Sequence, residues 1–155
     1  QFERAGSVDS NGSTELTVDS IVGSFTDANH AYRFGGRTYS AITVVFAGDD
    51  GVEIARNTVL VGAQSRQNTV RLSASVVDTG AGTWELTVSS EWAAQYVCVD
   101  VDGFDASDSW FHLAPNEPRT ITLVNRGTGK PRGHVRALNS VERASVAPRV
   151  VSGSS

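Results

Sequence analysis

Four aspartates between residues 100 and 108 form the densest group of potential ligands in the chain. Asp100, Asp102, Asp105 and Asp108 offer the carboxylate oxygens that calcium prefers. Their spacing does not match an EF-hand loop, which requires a glutamate at its twelfth position. We therefore expect solvated or turn-capping aspartates and no metal, with a weak calcium site at Asp100, Asp102 and Asp105 as the alternative.

Two tryptophans lie among or beside these polar residues. Trp92 and Trp110 occur in stretches rich in Asp, Ser and Asn. Tryptophan rings stack on sugars, and exposed aromatic side chains also mark contacts between domains. Trp92, Asp108, Trp110 and Phe111 are therefore the candidate site, for domain packing first and sugar contact as the alternative. A place in the core of the domain itself also stays open for the two tryptophans. Trp84 begins an alternating strand on its apolar side and is expected in the core.

No catalytic pair of acids is predicted. Glycoside hydrolysis needs two carboxyl groups about 5 to 9.5 Å apart on either side of a cleft. Glu85, Glu91 and Glu117 are available, but no second element directs an acid toward any of them. We expect no catalytic residue in this chain.

Histidine and cysteine also give no reactive arrangement. His30, His112 and His134 are widely separated, and none has a partner at metal-ligand spacing. His112 is expected to pack or to make a local hydrogen bond. The single cysteine, Cys98, excludes an internal disulfide and is expected to be a small buried side chain. Because no phosphate-binding glycine loop precedes a helix, no cofactor is predicted.

The elements that hold these residues are predicted to be strands. From 84 to 124, side chains alternate between apolar and polar, as in half-buried antiparallel strands. The valines of 96–101 are expected to face inward. Other segments with this alternation, or shorter apolar runs, are 15–22, 32–34, 38–47, 52–61, 70–76 and 133–138. Gly48-Asp49-Asp50-Gly51 is the strongest hairpin turn.

These segments predict an all-β chain. About eight short strands are separated by turns, and no helical period is present. We expect an immunoglobulin-like antiparallel β-sandwich of about seven to nine strands over residues 14–140. Residues 1–13 are expected to be a flexible linker and 141–155 a flexible tail.

Length and charge restrict the functional classes. The chain has 155 residues, a net charge of -4 and a pI of about 5.3, which argue against partners such as nucleic acid or a membrane surface. A (β/α)₈ barrel needs about 250 residues. There is no methionine, and we expect a fragment of a longer protein. Secreted and cytoplasmic locations both stay open.

A family resemblance rests on residues 103–123, GFDASDSWFHLAPNEPRTITL. Together with Tyr96, two residues before Cys98 as in the tyrosine corner of immunoglobulin domains, and with GHVRALNS at 133–140, this segment resembles the C-terminal immunoglobulin-like domain of β-mannosidases and related exo-acting enzymes of glycoside hydrolase family 2. The chain departs from the family at Trp110, where a smaller or amide residue is more usual.

The resemblance implies a noncatalytic accessory domain of a larger glycosidase, β-mannosidase-like or exo-glucosaminidase-like. Its partners would be the neighbouring domains of that enzyme, with carbohydrate as a further candidate. Two other classes stay open: an independent carbohydrate-binding module and a cell-surface immunoglobulin-like spacer or adhesion module. Fold alone does not choose among them, since sandwiches carry many functions.

Overall fold

The protein is represented by a computed structural model that describes residues 3–25, 40–61 and 70–148. The chain divides into two compact units, Gln1–Thr38 and Tyr39–Ser155. The short strand predicted at residues 32–34 lies outside the described residues. Whether the sandwich boundaries are 14 and 140, as the sequence predicts, stays a prediction.

The first unit contains one short helix, α1 (Val18–Val22). The prediction of a strand over residues 15–22 is therefore wrong. The Thr17 hydroxyl caps the helix by accepting a hydrogen bond from the Ser20 N–H at 3.2 Å, and Gly23 ends it with a φ of +78°. These two local caps outweigh the strand preference of the valines. No helix among the described residues is long and apolar enough to cross a membrane.

The second unit begins with a hairpin of β1 (Ala41–Ala47) and β2 (Glu53–Leu60). Its turn is the predicted one. The Gly51 N–H donates to the Gly48 carbonyl at 2.9 Å, and the Asp50 carboxylate accepts from the Val52 N–H at 3.0 Å. Gly51 has a φ of +78°, which glycine adopts without strain. The two strands form a separate two-stranded sheet.

Eight further strands form two antiparallel sheets. The first has the order β3-β4-β8-β6, with β3 (Ser73–Gly80), β4 (Thr83–Ser89), β8 (Arg119–Asn125) and β6 (Phe104–Ala106). The second has the order β10-β9-β5-β7, with β10 (Ala144–Val146), β9 (Gly133–Arg136), β5 (Ala94–Val101) and β7 (Phe111–Leu113).

One hydrophobic core contains side chains from both sheets. Leu86 and Leu123 contribute from the first sheet, and Val97 and Val135 from the second. Along β4 the predicted alternation holds, since Trp84, Leu86 and Val88 are buried while Glu85 is exposed. Because every second residue fills the space between the sheets, the all-β sandwich expected from the sequence is confirmed.

The end of the second sheet differs from the sequence expectation. Residues 144–146 fall in the predicted flexible tail, yet they form β10 and pair with β9 through Ala144↔Val135 and Val146↔Gly133. Val146 is almost fully buried in the core. A three-residue strand is too short to show an alternation in sequence, so only tertiary packing identifies it.

Candidate functional site

The loop from residue 107 to residue 110 joins the two sheets and carries two of the candidate residues. Its backbone is fixed at both ends. The Ser107 hydroxyl accepts from the Thr122 N–H, and the Ser109 hydroxyl accepts from the Val99 N–H, each at 3.0 Å. Since one anchor lies on β8 and the other on β5, the loop is tied to both layers of the sandwich.

Asp108 and Phe111 are both engaged by Arg119. The guanidinium of Arg119 donates a hydrogen bond to the Asp108 carboxylate and lies 4.6 Å from the centre of the Phe111 ring. Its side chain is only 13% exposed, and Phe111 is buried in the core. The arrangement combines an ion pair with a cation–π contact. Asp108 and Phe111 therefore stabilise the loop, and Phe111 offers no surface to a ligand.

Trp110 is presented differently, with its side chain 61% exposed. Its N–H donates to the Val97 carbonyl at 2.6 Å, and its φ is +66°. A bulky residue in this left-handed region is uncommon and strained. Asparagine and glycine suit such a backbone better, which agrees with the smaller or amide residue usual in the resembling family.

Trp92 is the other exposed aromatic candidate, at 67%. It precedes β5, beyond the Ala94↔Leu113 pair, whereas Trp110 lies past the Val97↔Phe111 pair. At about 3.3 Å per residue, this register separates the two tryptophans by on the order of 15 Å along the strands. The structure therefore does not bring them together as a platform for one sugar ring.

Tyr96 lies at a bulge in β5, where the register with β7 shifts between Ala94 and Val97. It has a φ of +47° and is half exposed. Its N–H donates to Nδ1 of His112 at 3.2 Å, and the two rings meet edge to face, 4.6 Å apart. The tyrosine-corner spacing in the sequence thus marks a bulge, and His112 makes the predicted local hydrogen bond. Burial lowers the pKa of His112.

A shallow depression lies beside His112. It is lined by Arg56, Thr58, His112, Leu113, Ala114, Glu117, Pro118 and Arg119, and it encloses no volume that a water molecule could occupy. Arg56 forms ion pairs with Glu53 at 2.9 Å and with Glu117 at 3.8 Å. Its hydrogen bond to Glu53 lowers the pKa of that carboxyl. The depression marks a largely polar contact between β2 and β7.

The three aspartates of the alternative calcium site do not lie together. Asp105 forms an ion pair with Arg126, whose hydrogen bond lowers the pKa of the carboxyl. Asp100 lies 3.5 Å from His134 Nε2, and Asp102 is exposed in a turn. Across residues 3–25, 40–61 and 70–148, no three histidine, cysteine, aspartate or glutamate side chains are grouped to hold a metal.

The remaining candidates are dispersed. Glu85 is exposed on β4, Glu91 is exposed before β5, and Glu117 faces Arg56. His30 lies outside the described residues. Cys98 is buried, as predicted.

Sequence reasoning missed the two arginines that organise this region, Arg56 and Arg119. Arg119 shares the inward face of β8 with Ile121 and Leu123, although exposure to solvent is the ordinary expectation for an arginine. The sequence does hold one signal: Glu53 lies three residues before Arg56 and Glu117 lies two residues before Arg119, whereas Asp108 approaches Arg119 only in the fold. It also missed that the apolar side of β1 stays open to solvent.

The sheets, the core and the loop anchors define an immunoglobulin-type sandwich domain. The sequence model of one such family, the Ig-fold domain Ig_mannosidase, matches residues 65–141. The chain is similar to that family over this segment, and the resemblance predicted from residues 96–140 is confirmed. None of the curated proteins matches the chain.

Proposed function

We propose that the chain is a noncatalytic accessory domain of a larger exo-acting glycosidase, β-mannosidase-like or exo-glucosaminidase-like. In this role it packs on the catalytic part and stabilises it. The observation that carries the proposal is the match of residues 65–141 to the Ig-fold domain of the mannosidase family. The filled interior between the sheets agrees with it, because packed side chains leave little room for a substrate.

The exposed tryptophans suit a role in packing. Trp110 is held by a short backbone hydrogen bond in a strained conformation. Strain of this kind persists only where the surrounding structure enforces it, and it is concentrated at functional sites. A rigid exposed aromatic side chain also loses little entropy on binding. We therefore assign Trp110, together with the loop anchored by Ser107 and Ser109, to contact with a neighbouring domain.

The second candidate function is an independent carbohydrate-binding module, favoured by the exposure of Trp92 and Trp110. Their separation along the strands argues against a shared site for a short sugar. Affinity electrophoresis in gels containing mannan or chitosan distinguishes the two functions. Retardation that is lost in Trp110→Ala would support the binding module, and unchanged mobility supports the accessory domain.

Two observations test the accessory role itself. The reading frame that encodes this chain should also encode a (β/α)₈ barrel. The purified chain should release no nitrophenol from nitrophenyl β-mannoside or β-glucosaminide above the rate in buffer. A reading frame without a barrel, or hydrolysis by the chain that Glu117→Gln abolishes, would refute the proposal.

A further inference from the structure

The hairpin of β1 and β2 has two unlike faces. Its inner face lies on the sandwich beside β7. There Thr43 and Thr58 pair across the strands, their hydroxyl oxygens 3.2 Å apart, and Thr58 is buried. Arg56, on the same face, reaches Glu117 at 3.8 Å. The Arg56–Glu117 ion pair joins this face to the sandwich, while Val45, which pairs with Arg56, is 45% exposed.

The opposite side, which we call the outer hairpin face, is apolar. The cross-strand pairs Ile42↔Val59, Val44↔Asn57 and Phe46↔Ala55 place these six residues together. Val44 is 64% exposed, Phe46 52% and Val59 54%. None of the six side chains carries a charge, and β1 contains no charged residue at all.

This face differs in pattern from most sheet surfaces that are exposed to water. Where one face of a sheet is exposed to water, polar side chains ordinarily occupy that face. Exposed edge strands usually also carry charged side chains, which prevent pairing with a strand of another molecule. In the part of the chain that the structure describes, β1 pairs with β2 only. A contiguous apolar patch of this kind marks an interaction surface.

The size and charge of the face indicate what covers it. Its apolar side chains expose roughly 400 Å², within the range of the largest patches on ordinary monomers. A stable complex between separate proteins buries about 800 Å² on each partner. A partner joined through the same polypeptide needs less area, because the tether supplies a high effective concentration. The absence of charge excludes a partner recognised by ion pairs.

We propose that the outer hairpin face is the docking surface for a neighbouring domain of the same polypeptide, one that contributes an uncharged, apolar patch. This inference rests on the proposed accessory function and names the surface through which it acts. The hairpin is then a middle layer, with its inner face on the sandwich and its outer face against the neighbouring domain.

The test compares two pairs of substitutions in the full-length parent protein. Val44→Ser with Phe46→Ser removes the outer hairpin face. Val77→Ser with Val124→Ser is the matched control, since both valines are exposed on strands of the sandwich. We expect the outer-face pair to lower the melting temperature of the parent by roughly 4 °C and to expose the junction to limited proteolysis. The control pair should change neither.

The same variants of the chain by itself separate docking from folding. Because Val44 and Phe46 are exposed there, the outer-face pair should leave its melting temperature within about 1 °C of the wild type. A drop comparable to that in the parent would overturn the inference. Equal melting temperatures of the outer-face and control variants of the parent would also overturn the inference. The proposed accessory role would still stand if the reading frame encodes the barrel.

A second copy of the chain is the rival occupant. Sedimentation velocity of the chain should show a monomer at every concentration tested, since the patch is about half of the area that each partner buries in a stable dimer. A dimer that the outer-face pair dissociates would overturn the inference in favour of self-association.

Discussion

Two of the four candidate residues, Asp108 and Phe111, are structural because both contact Arg119. It links the Asp108 carboxylate to the Phe111 ring from a position that is itself mostly buried. A buried guanidinium that loses its carboxylate keeps its desolvation cost without compensation. Asp108 therefore holds the loop that presents Trp110, and a change at Asp108 acts first on stability.

Replacing Asp108 by alanine should lower the free energy of unfolding by about 1 to 2 kcal/mol, because a charged hydrogen bond to a partly buried arginine is lost. Urea unfolding followed by tryptophan fluorescence measures the change. Glu142→Ala is the control, since its ion pair with Arg71 is exposed on both sides and should contribute less than about 0.5 kcal/mol. Equal losses in the two variants would contradict the role given to Asp108.

His112 should make stability depend on pH. Its Nδ1 accepts from the Tyr96 N–H, and burial lowers its pKa below the ordinary 6.5. The unfolded chain therefore takes up a proton at this histidine more readily than the folded chain. The stabilising contribution is complete above pH 6.5 and decreases as the pH falls toward the lowered pKa.

The variant that tests this is His112→Asn, whose amide oxygen can accept the same hydrogen bond without titrating. Between pH 7 and pH 5.5 its free energy of unfolding should fall less steeply than that of the wild type. This window lies above the range in which Glu53 and Asp105 titrate, since the pKa values of both are lowered. Parallel slopes for the two proteins would show that His112 does not cause the dependence.

Among the elements, the sequence predicted strands correctly where one face is buried and the other is exposed to solvent. Strands β4 and β8 follow a period of two because their inward side chains meet across the core. It failed at α1, where capping by Thr17 and Gly23 decides the conformation. It failed again at β10, where three residues are too few for a pattern.

Close backbone approach in the second sheet gives a prediction for Gly133. It pairs with Val101, and a Cβ at this position would lie 2.7 Å from the Val101 Cα and still nearer to the Asp100 carbonyl. Gly133→Ala should therefore lower the free energy of unfolding by about 1 to 3 kcal/mol through overpacking. A Cβ at Gly127 would meet nothing within 4 Å, so Gly127→Ala is the matched control. Chemical denaturation that ranks the two variants equally would contradict this packing.

The candidate site was predictable only in part, because some of its contacts form only when the whole molecule has folded. Loop composition indicated exposure of Trp92 and Trp110, and the structure exposes both. The burial of Phe111 and the engagement of Asp108 depend on Arg119, which adjoins them only after β7 and β8 are placed. Likewise, the alternation of β1 predicts an apolar face, but whether another layer covers it is a tertiary property.

At the scale of the molecule, the chain is expected to act by packing. We propose that Trp110 and the outer hairpin face each contact other parts of a longer protein, while the closed core maintains the sandwich that carries them. Contacts that form only between the domains of that protein are lost when this domain is removed.

The decisive measurement compares the melting temperature of the full-length parent protein with that of a variant from which residues 40–148 are deleted. We expect the deletion to lower the melting temperature, because the contacts that this domain makes with the rest of the protein are lost. A parent that melts at the same temperature with and without this segment would contradict an accessory role.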